Sequence, residues 1–271
     1  MKTNSSNPQA PRALFVPHGA PTFALRPGAA GAALVSFAST IALPRAIVIV
    51  SPHWETGSPV VGFAERPETI HDFGGFPDEL YAIRYPATGC PEAAQQVVDA
   101  IGAAGLPVTA DARRGLDHGA WVPLRMMFPD AEVPIIPLSV QHNAGPAHHY
   151  RLGQALAPLV DQGFLVIGSG NITHNLRDYQ IARSGRGTPD YVHTFPEWIA
   201  KNIAARNIDA LLDYRRQAPG AVQAHPSEEH LMPLFVALGA GGAQAQAVRL
   251  HAGIDDYVLA MDAYAFTGEQ A

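Results

Sequence analysis

The 271-residue sequence has little of what several common protein classes require. Its single cysteine, Cys90, excludes an intrachain disulfide and a cysteine-rich zinc site. It has no basic run and a formal net charge of -6, which argues against nucleic acid or an anionic membrane as a partner. No apolar stretch reaches the ~18 residues of a membrane span, and residues 1–12 lack the apolar core of a signal peptide. We therefore expect a soluble, cytoplasmic protein that is a monomer or a small homo-oligomer.

Several enzyme motifs are also missing. There is no HExxH zinc motif and no GxSxG serine-hydrolase elbow. The segment GSGNITH at 168–174 lacks the third glycine of a dinucleotide fingerprint and the lysine of a P-loop, which disfavours nucleotide binding. Histidine, in contrast, is abundant, with 12 histidines against 18 lysines and arginines. Because histidine is the commonest protein ligand for metals and titrates near neutral pH, this abundance indicates metal or acid–base chemistry.

Short apolar runs alternate with longer amphipathic segments along the chain. The runs IVIV (47–50) and FLVI (164–167) are apolar on both faces, as in central strands covered by helices. No repeat or linker divides the chain, so we predict one α/β domain over 11–271, with a mostly parallel or mixed sheet flanked by helices, and a flexible N-terminus over 1–10. Strands are predicted at 13–17, 45–50, 58–64, 133–140, 163–168, 247–251 and 257–261, and helices at 28–40, 91–104, 119–128, 146–161, 190–205, 207–216 and within 227–239.

Histidines follow four of the predicted strands. His18 follows ALFV, His53 follows IVIV, His142 follows PLSV, and His174 follows FLVI. Because the carboxyl ends of parallel strands lie at one edge of a sheet, where ligands bind, we expect the active site there, with these histidines close together. Pro52 cannot donate a ladder hydrogen bond, so strand pairing is expected to end just before His53.

Two histidines at neighbouring strand ends could form part of a metal site. His18 and His53, joined by the distant His230 or by its neighbour Glu229, would give three ligands with open positions. Such a set is typical of a catalytic rather than a structural centre. The spacing alone leaves ordinary, hydrogen-bonded loop histidines as an equal alternative.

Two further segments carry chemistry-bearing residues. Asp117 and His118 precede a predicted helix, where Asp117 could cap the helix or hold His118 in one tautomer. His118 is then either a polar residue at a helix start or a second acid–base group. The aromatic, glycine-rich segment 71–87 is too long for a tight turn and is either a lid or a packed surface loop.

Taken together, these segments make the chain resemble the class III extradiol ring-cleavage dioxygenases, in particular their bacterial DOPA-dioxygenase-like branch. The resemblance implies a single α/β domain with a non-haem metal in a shallow pocket. It also implies O2-dependent cleavage of a catechol ring beside its two hydroxyls. The matching segments, in family order, are FVPHGAPTFAL, SPHWET, HDFGGFPDELYAIRYPA, RGLDHGAWVPL, IIPLSVQ, VIGSGNITHNL and HPSEEHLMPLFVALGA.

The resemblance also implies roles for individual residues. His18, His53 and His230 correspond to the metal ligands, His174 to the catalytic histidine, and His118 to a second pocket histidine that contacts substrate. More distant relatives use glutamate as the third ligand. Fe(II) is the expected metal for O2 activation, while Zn(II), which binds more tightly, could occupy the site after purification. The expected partners are O2 and a small substituted catechol, DOPA- or caffeate-like, which would become a semialdehyde acid.

Two other functions remain open from the sequence. One is a zinc-dependent hydrolase that uses the same three histidines. The other is a non-catalytic, Memo-like protein that binds a metal or a partner, although His118 and His174 beside the ligands argue against it. A carboxylate on the substrate has several candidate partners between which the sequence does not choose: Arg84, Arg125, Arg177, Tyr257 and the loop 71–77.

Overall fold

The computed structural model describes residues 11–268, which form a single α/β domain around an eight-stranded mixed sheet. The predicted flexible segment 1–10 and the last residues of the predicted domain, 269–271, lie outside the described residues. The strands of the main sheet are β1 (Pro11–Pro17), β2 (Ala46–Thr56), β3 (Val60–Gly62), β4 (Thr109–Asp111), β5 (Ile135–Gln141), β6 (Phe164–Gly170), β7 (Gln246–His251) and β10 (Ala263–Thr267), and β8 (Ile254–Asp255) pairs with β9 (Leu259–Ala260) in a small separate ladder.

Helices flank the sheet, as predicted. Helices α5 (Gly145–Val160) and α11 (Met232–Gly241) pack against each other and α11 lies against β1 and β6, while α4 (His118–Met127) packs against β2 and β6. None of the helices within residues 11–268 combines the length and the apolar character that a bilayer span requires. The helices are α1 (Gly28–Ala38), α2 (Asp78–Ala82), α3 (Pro91–Ala103), α4 (His118–Met127), α5 (Gly145–Val160), α6 (Leu176–Ile181), α7 (Tyr191–Ala204), α8 (Ile208–Leu212), α9 (Tyr214–Gln217), α10 (Ala221–Ala224) and α11 (Met232–Gly241).

The strand order is β4-β3-β5-β2-β6-β1-β10-β7. The four central strands, β5, β2, β6 and β1, are parallel to one another. Antiparallel pairing of β3 with β5, and of β10 with β1 and β7, makes the sheet mixed. The predicted fold class is therefore confirmed, and the parallel core places the carboxyl ends of β1, β2 and β6 at one edge.

The sequence prediction was wrong near the carboxyl end of the chain. Strand β10 was missed, and the predicted strand 257–261 contains only the two residues of β9. Asp256 and Tyr257 have positive φ angles of 48° and 63°, so they form the turn between β8 and β9 and cannot continue a strand. The short elements β4, α2 and α6 were also missed. Each is too short for the spacing of its apolar residues to show a helical or a strand period.

Strand β2 has an irregularity at the position of His53. Ser51 pairs with Ser139 of β5, and Glu55 pairs with the next residue, Val140. The residues 52–54 therefore have no partners on β5, and pairing resumes at Glu55 instead of ending at Pro52 as predicted. An insertion of this kind is a β-bulge, which locally re-aims side chains and is common beside active sites.

Candidate metal centre

Three histidines from distant parts of the chain converge at the carboxyl edge of the sheet. Nε2 of His18 lies 3.3 Å from Nε2 of His53. One ring nitrogen from each of His18, His53 and His230 lies within 4.8 Å of the other two. Nε2 of His230 is buried and has no hydrogen-bond partner among the residues that the structure describes. Converging imidazole nitrogens without protein donors fit a transition-metal ion such as zinc or iron.

His18 follows β1 and is held by a serine of β6. Its Nδ1 lies 3.0 Å from Oγ of Ser169, and that hydroxyl donates to the carbonyl of Gly119. Since the hydroxyl hydrogen is used, Oγ accepts from the Nδ1–H of His18. The lone pair of the imidazole is then on Nε2, the atom that faces the cluster. Ser169 thus orients a candidate ligand.

His53 lies in the bulge of β2 and is held by the start of α4. Its backbone N–H donates to Oγ of Ser51 at 3.3 Å, and Ser51 donates to Oδ1 of Asp117 at 2.6 Å. Asp117 also caps α4 by accepting from the N–H of Ala120, so of its two predicted roles the structure shows the helix cap. A methyl group on Gly119 would collide with Ser51 Oγ, which means that this contact requires glycine.

A carboxylate that the sequence reasoning missed, Asp72, lies against two histidines. Its Oδ1 accepts from the backbone N–H of His118 at 2.9 Å and from Nδ1 at 3.0 Å. Its Oδ2 lies 3.4 Å from Nδ1 of His53. Burial raises the pKa of Asp72, but the hydrogen bonds and charge of His118, followed by the charge of His53, outweigh burial and lower it to about 2. Asp72 is therefore an ionised acceptor that sets the tautomer of His118, and its second oxygen faces Nδ1 of His53.

The position of Asp72 depends on the helix beside it. Trp121 of α4 is fully buried, and its indole N–H donates to the carbonyl of Ile70 at 3.0 Å. This bond fixes the segment that leads into Asp72. The only sequence signal was an acidic residue next to a histidine in the segment 71–87, and nothing in that pattern indicates a contact with His118.

His230 reaches the cluster from the segment before α11. Its Nδ1 lies 2.9 Å from Oε1 of Glu229, which makes Glu229 the acceptor that orients His230. Of the two candidate third ligands, it is thus the imidazole that meets His18 and His53. The glycines at 168 and 170 belong to a strand and not to a turn. They lie within β6, where a methyl group on either would collide with the backbone carbonyl of Pro233 or His230.

His174 lies beside the three converging histidines. Its ring is stacked on that of His230, with centroids 3.4 Å apart and an angle of 6° between the planes. Burial, followed by the charges of His225, His53 and His118, lowers the pKa of His174 to about 3. The imidazole is therefore neutral near pH 7, and one of its ring nitrogens carries a lone pair.

His142 does not join the other histidines. It is exposed, and it lines a separate cavity of about 410 Å³ together with Glu55 and Glu229. The bulge in β2 explains why His142 lies apart from the other histidines. After the bulge, Glu55 and Thr56 pair with the last residues of β5, which directly precede His142. His142 N–H then donates to the carbonyl of Thr56 at 3.3 Å, which places it beyond the edge where the other histidines meet.

The five remaining predicted histidines line one cavity of about 850 Å³, a volume that suits a small organic ligand. Its charged lining groups other than histidine are Arg26, Asp255 and Asp256. Arg26 was not among the carboxylate partners considered from the sequence, and of those only Phe73 and Phe76 of the loop 71–77 line the cavity. The apolar lining includes Phe23, Phe73, Phe76, Leu176, Val258 and Met261.

The fold and the histidine cluster together define an α/β protein with a candidate metal centre at a sheet edge. Residues 33–263 match the family described as the catalytic LigB subunit of aromatic ring-opening dioxygenase, and the chain belongs to this family. The sequence resemblance is thereby confirmed.

Individual relatives agree with this assignment. The chain is 41% identical over 225 residues to the 4,5-DOPA dioxygenase extradiol of Beta vulgaris, with 83% of each chain covered. It is 38% identical over 237 residues to the protein of the same name from Escherichia coli K12, with 86% of each covered. The crystal structure of an uncharacterized protein from Escherichia coli K12 matches with a TM-score of 0.77 and 31% identity, over 93% of this chain and 98% of that one. These relatives support a ring-cleaving enzyme of the oxygenase type.

Proposed function

We propose that this protein is an extradiol dioxygenase that opens the ring of a substituted catechol with O2 and releases a semialdehyde acid. The observation that carries the proposal is the convergence of His18, His53 and His230 at the wall of a cavity that also presents His118 and His174. The family and the names of its members support the same chemistry.

In this proposal His18, His53 and His230 hold the metal, which is Fe(II) in the active enzyme and is open to replacement by Zn(II). When bound, the metal supplies a Lewis acid that lowers the pKa of a catechol hydroxyl, and iron adds the redox chemistry that O2 requires. Each of the three imidazoles has its Nδ1 directed at an oxygen, from Ser169, Asp72 or Glu229 respectively. Such partners hold each Nε2 ready as a ligand.

The two other histidines handle the protons and position the ring. His174 takes up the proton that leaves a catechol hydroxyl and later returns it to an oxygen of the opened ring, a role supported by its position beside His230 in the cavity. His118 donates its Nδ1–H to Asp72, so its Nε2 carries a lone pair that can accept a hydrogen bond from the second hydroxyl. Phe73, whose ring centroid lies 5.6 Å from that of His118, provides an apolar surface for the substrate ring.

The charges in the cavity favour a catechol with an amino-acid tail, as in DOPA, over caffeate. The guanidinium of Arg26 suits a carboxylate, with which it forms charge-assisted hydrogen bonds. The adjacent carboxylates of Asp255 and Asp256 suit an ammonium group. Burial and then the charge of Asp256 raise the pKa of Asp255, so a cation beside this pair would be stabilising.

The test is an oxygen-electrode measurement on protein loaded anaerobically with Fe(II). DOPA, dopamine, dihydroxyphenylpropionate and caffeate form the catechol panel, and tyrosine, which differs from DOPA by one hydroxyl, is the matched control. We expect O2 uptake and new product absorbance with catechols, greatest with DOPA, and none with tyrosine. Metal-loaded protein that takes up no O2 with any catechol would contradict the proposal. Product absorbance that develops equally well without O2 would instead support the zinc hydrolase.

A further inference from the structure

The loop that carries His174 is fastened on one side to the small β8–β9 ladder. This loop, residues 171–175, connects β6 to α6. The N–H of Ile172 donates to the carbonyl of Ala260 at 3.1 Å. The hydroxyl of Thr173 donates to the carbonyl of Val258 at 2.7 Å and accepts from the N–H of Ala260 at 2.8 Å.

On its other side the loop is fastened to residues 223–225, at the carboxyl end of α10. The N–H of His174 donates to the carbonyl of Ala224 at 2.9 Å, and Nδ2 of Asn175 donates to the carbonyl of Gln223 at 2.8 Å. Nε2 of His225 lies 2.7 Å from the carbonyl oxygen of Ile172. Since a carbonyl only accepts, Nε2 of His225 carries the hydrogen.

His225 itself is a buried group with no other assigned task. Its side chain is 0% exposed, and its ring centroid lies 5.8 Å from that of Phe195. Burial, the largest cause, lowers the pKa of His225 to about 4, so the ring is neutral near pH 7. Its Nδ1 has no hydrogen-bond partner among residues 11–268. The polar contribution of this imidazole is therefore the single bond from Nε2–H to the loop.

We propose that His225 is a positioning residue that fixes the loop 171–175 through its Nε2–H bond to Ile172, and so holds the ring of His174 parallel to that of His230. The inference rests on the proposed function, in which His174 exchanges protons with the catechol. The bond acts two residues before His174, where a change in the backbone would tilt the stacked ring. The segment HPSEEH thus supplies a candidate ligand, His230, and also His225, which positions the ring of His174 beside that ligand.

The test compares His225→Gln with His225→Asn, both measured as Fe(II)-loaded full-length protein. The amide nitrogen of glutamine reaches about as far as Nε2, whereas that of asparagine reaches only as far as Nδ1. We expect His225→Gln to keep a kcat near that of the wild type. We expect His225→Asn to lower kcat with DOPA by roughly 10- to 100-fold, the effect of a misplacement of about 1 Å, while KM and the bound metal stay within about twofold.

Hydrogen exchange provides a readout that does not depend on turnover. Amides of the loop 171–175 should exchange faster in His225→Asn and at the wild-type rate in His225→Gln. Equal kcat values for the two variants, a loss that appears in KM instead of kcat, or unchanged exchange in His225→Asn would each overturn the proposal. If the wild type takes up no O2 with any catechol, the proposed function fails, and the exchange comparison alone decides whether His225 holds the loop.

A second variant covers the case in which His225→Asn does not fold. Asn175→Ala removes the neighbouring bond from Nδ2 to the carbonyl of Gln223, together with the cap that Oδ1 forms at the start of α6. The proposal requires this variant also to lower kcat without raising KM, because it loosens the same attachment. An unchanged kcat in folded Asn175→Ala would overturn it.

Discussion

The Asp72→Asn substitution tests whether one carboxylate sets the tautomers of two histidines. Asparagine keeps one oxygen, which can still accept from Nδ1 and the backbone N–H of His118. Its NH2 group then replaces Oδ2 and faces Nδ1 of His53. Because two donors cannot share a hydrogen bond, the hydrogen of His53 must move to Nε2, which is the nitrogen that faces the candidate metal.

The expected loss of metal affinity in Asp72→Asn follows from the geometry of the contact between His53 and Asp72. Loss of a partner that orients a metal ligand typically weakens metal binding about 10- to 100-fold, or ~1.4 to ~2.8 kcal/mol. The distance of 3.4 Å between His53 and Asp72 is longer than an ideal hydrogen bond, and the Asp72 side chain is 22% exposed, so solvent screens the pair. We therefore expect the lower limit, a loss of about tenfold or ~1.4 kcal/mol.

The assay is an equilibrium competition for Zn(II) between the protein and a chromophoric chelator near neutral pH. Asp130→Asn is the matched control, since it removes the same charge from an exposed position. Asp72→Asn should bind zinc about tenfold more weakly than Asp130→Asn does. Equal affinities for the two variants would refute the assignment of Asp72 as the group that orients His53.

Three further predictions concern the metal, the substrate and pH. His53→Ala should lose bound metal by elemental analysis, whereas His174→Ala should keep it and lose most O2 uptake; near-wild-type uptake in His174→Ala would refute the proton role. Arg26→Gln should raise the KM for DOPA about tenfold, a typical worth of a charge-assisted hydrogen bond, and leave that for dopamine unchanged, because dopamine has no carboxylate. Burial lowers the pKa of His53, His149 and His225 to about 4, below the usual 6.5, so the unfolded chain binds more protons between these values. The metal-free protein should thus lose stability in urea titrations as the pH falls from about 6.5 to about 4, and a constant unfolding free energy over this range would contradict the burial of these rings.

The sequence was informative where chemistry follows a strand. His18, His53 and His174 could be placed at one edge because the apolar runs before them predict parallel central strands. His142 met the same criterion and was misplaced. Its position depends on the bulge in β2, and an insertion opposite another strand leaves no mark in the periodicity of either strand.

The residues that support the histidines could not be predicted in this way. Asp72 and His118 are separated by 46 positions, and the residues around Asp72 have neither a helical nor a strand period. Arg26 reaches the cavity from an irregular segment before α1. Contacts of this kind depend on how loops pack over a finished sheet, and such packing is specified by the whole fold rather than by local residues.

The bulge in β2 also divides the strand by the kind of selection that acts on it. Residues 47–50 are fully buried and pair with strands on both sides, so substitutions there should reduce the amount of folded protein in a cell. Residues 52–54 are outside the ladder with β5, and His53 is only partly buried. Substitutions of His53 should leave abundance nearly unchanged and abolish activity. A library of single variants, scored for abundance and for activity, should show this change along the strand. Up to Val50 variants should fail because little folded protein is present, and at His53 they should fail because the folded protein is inactive.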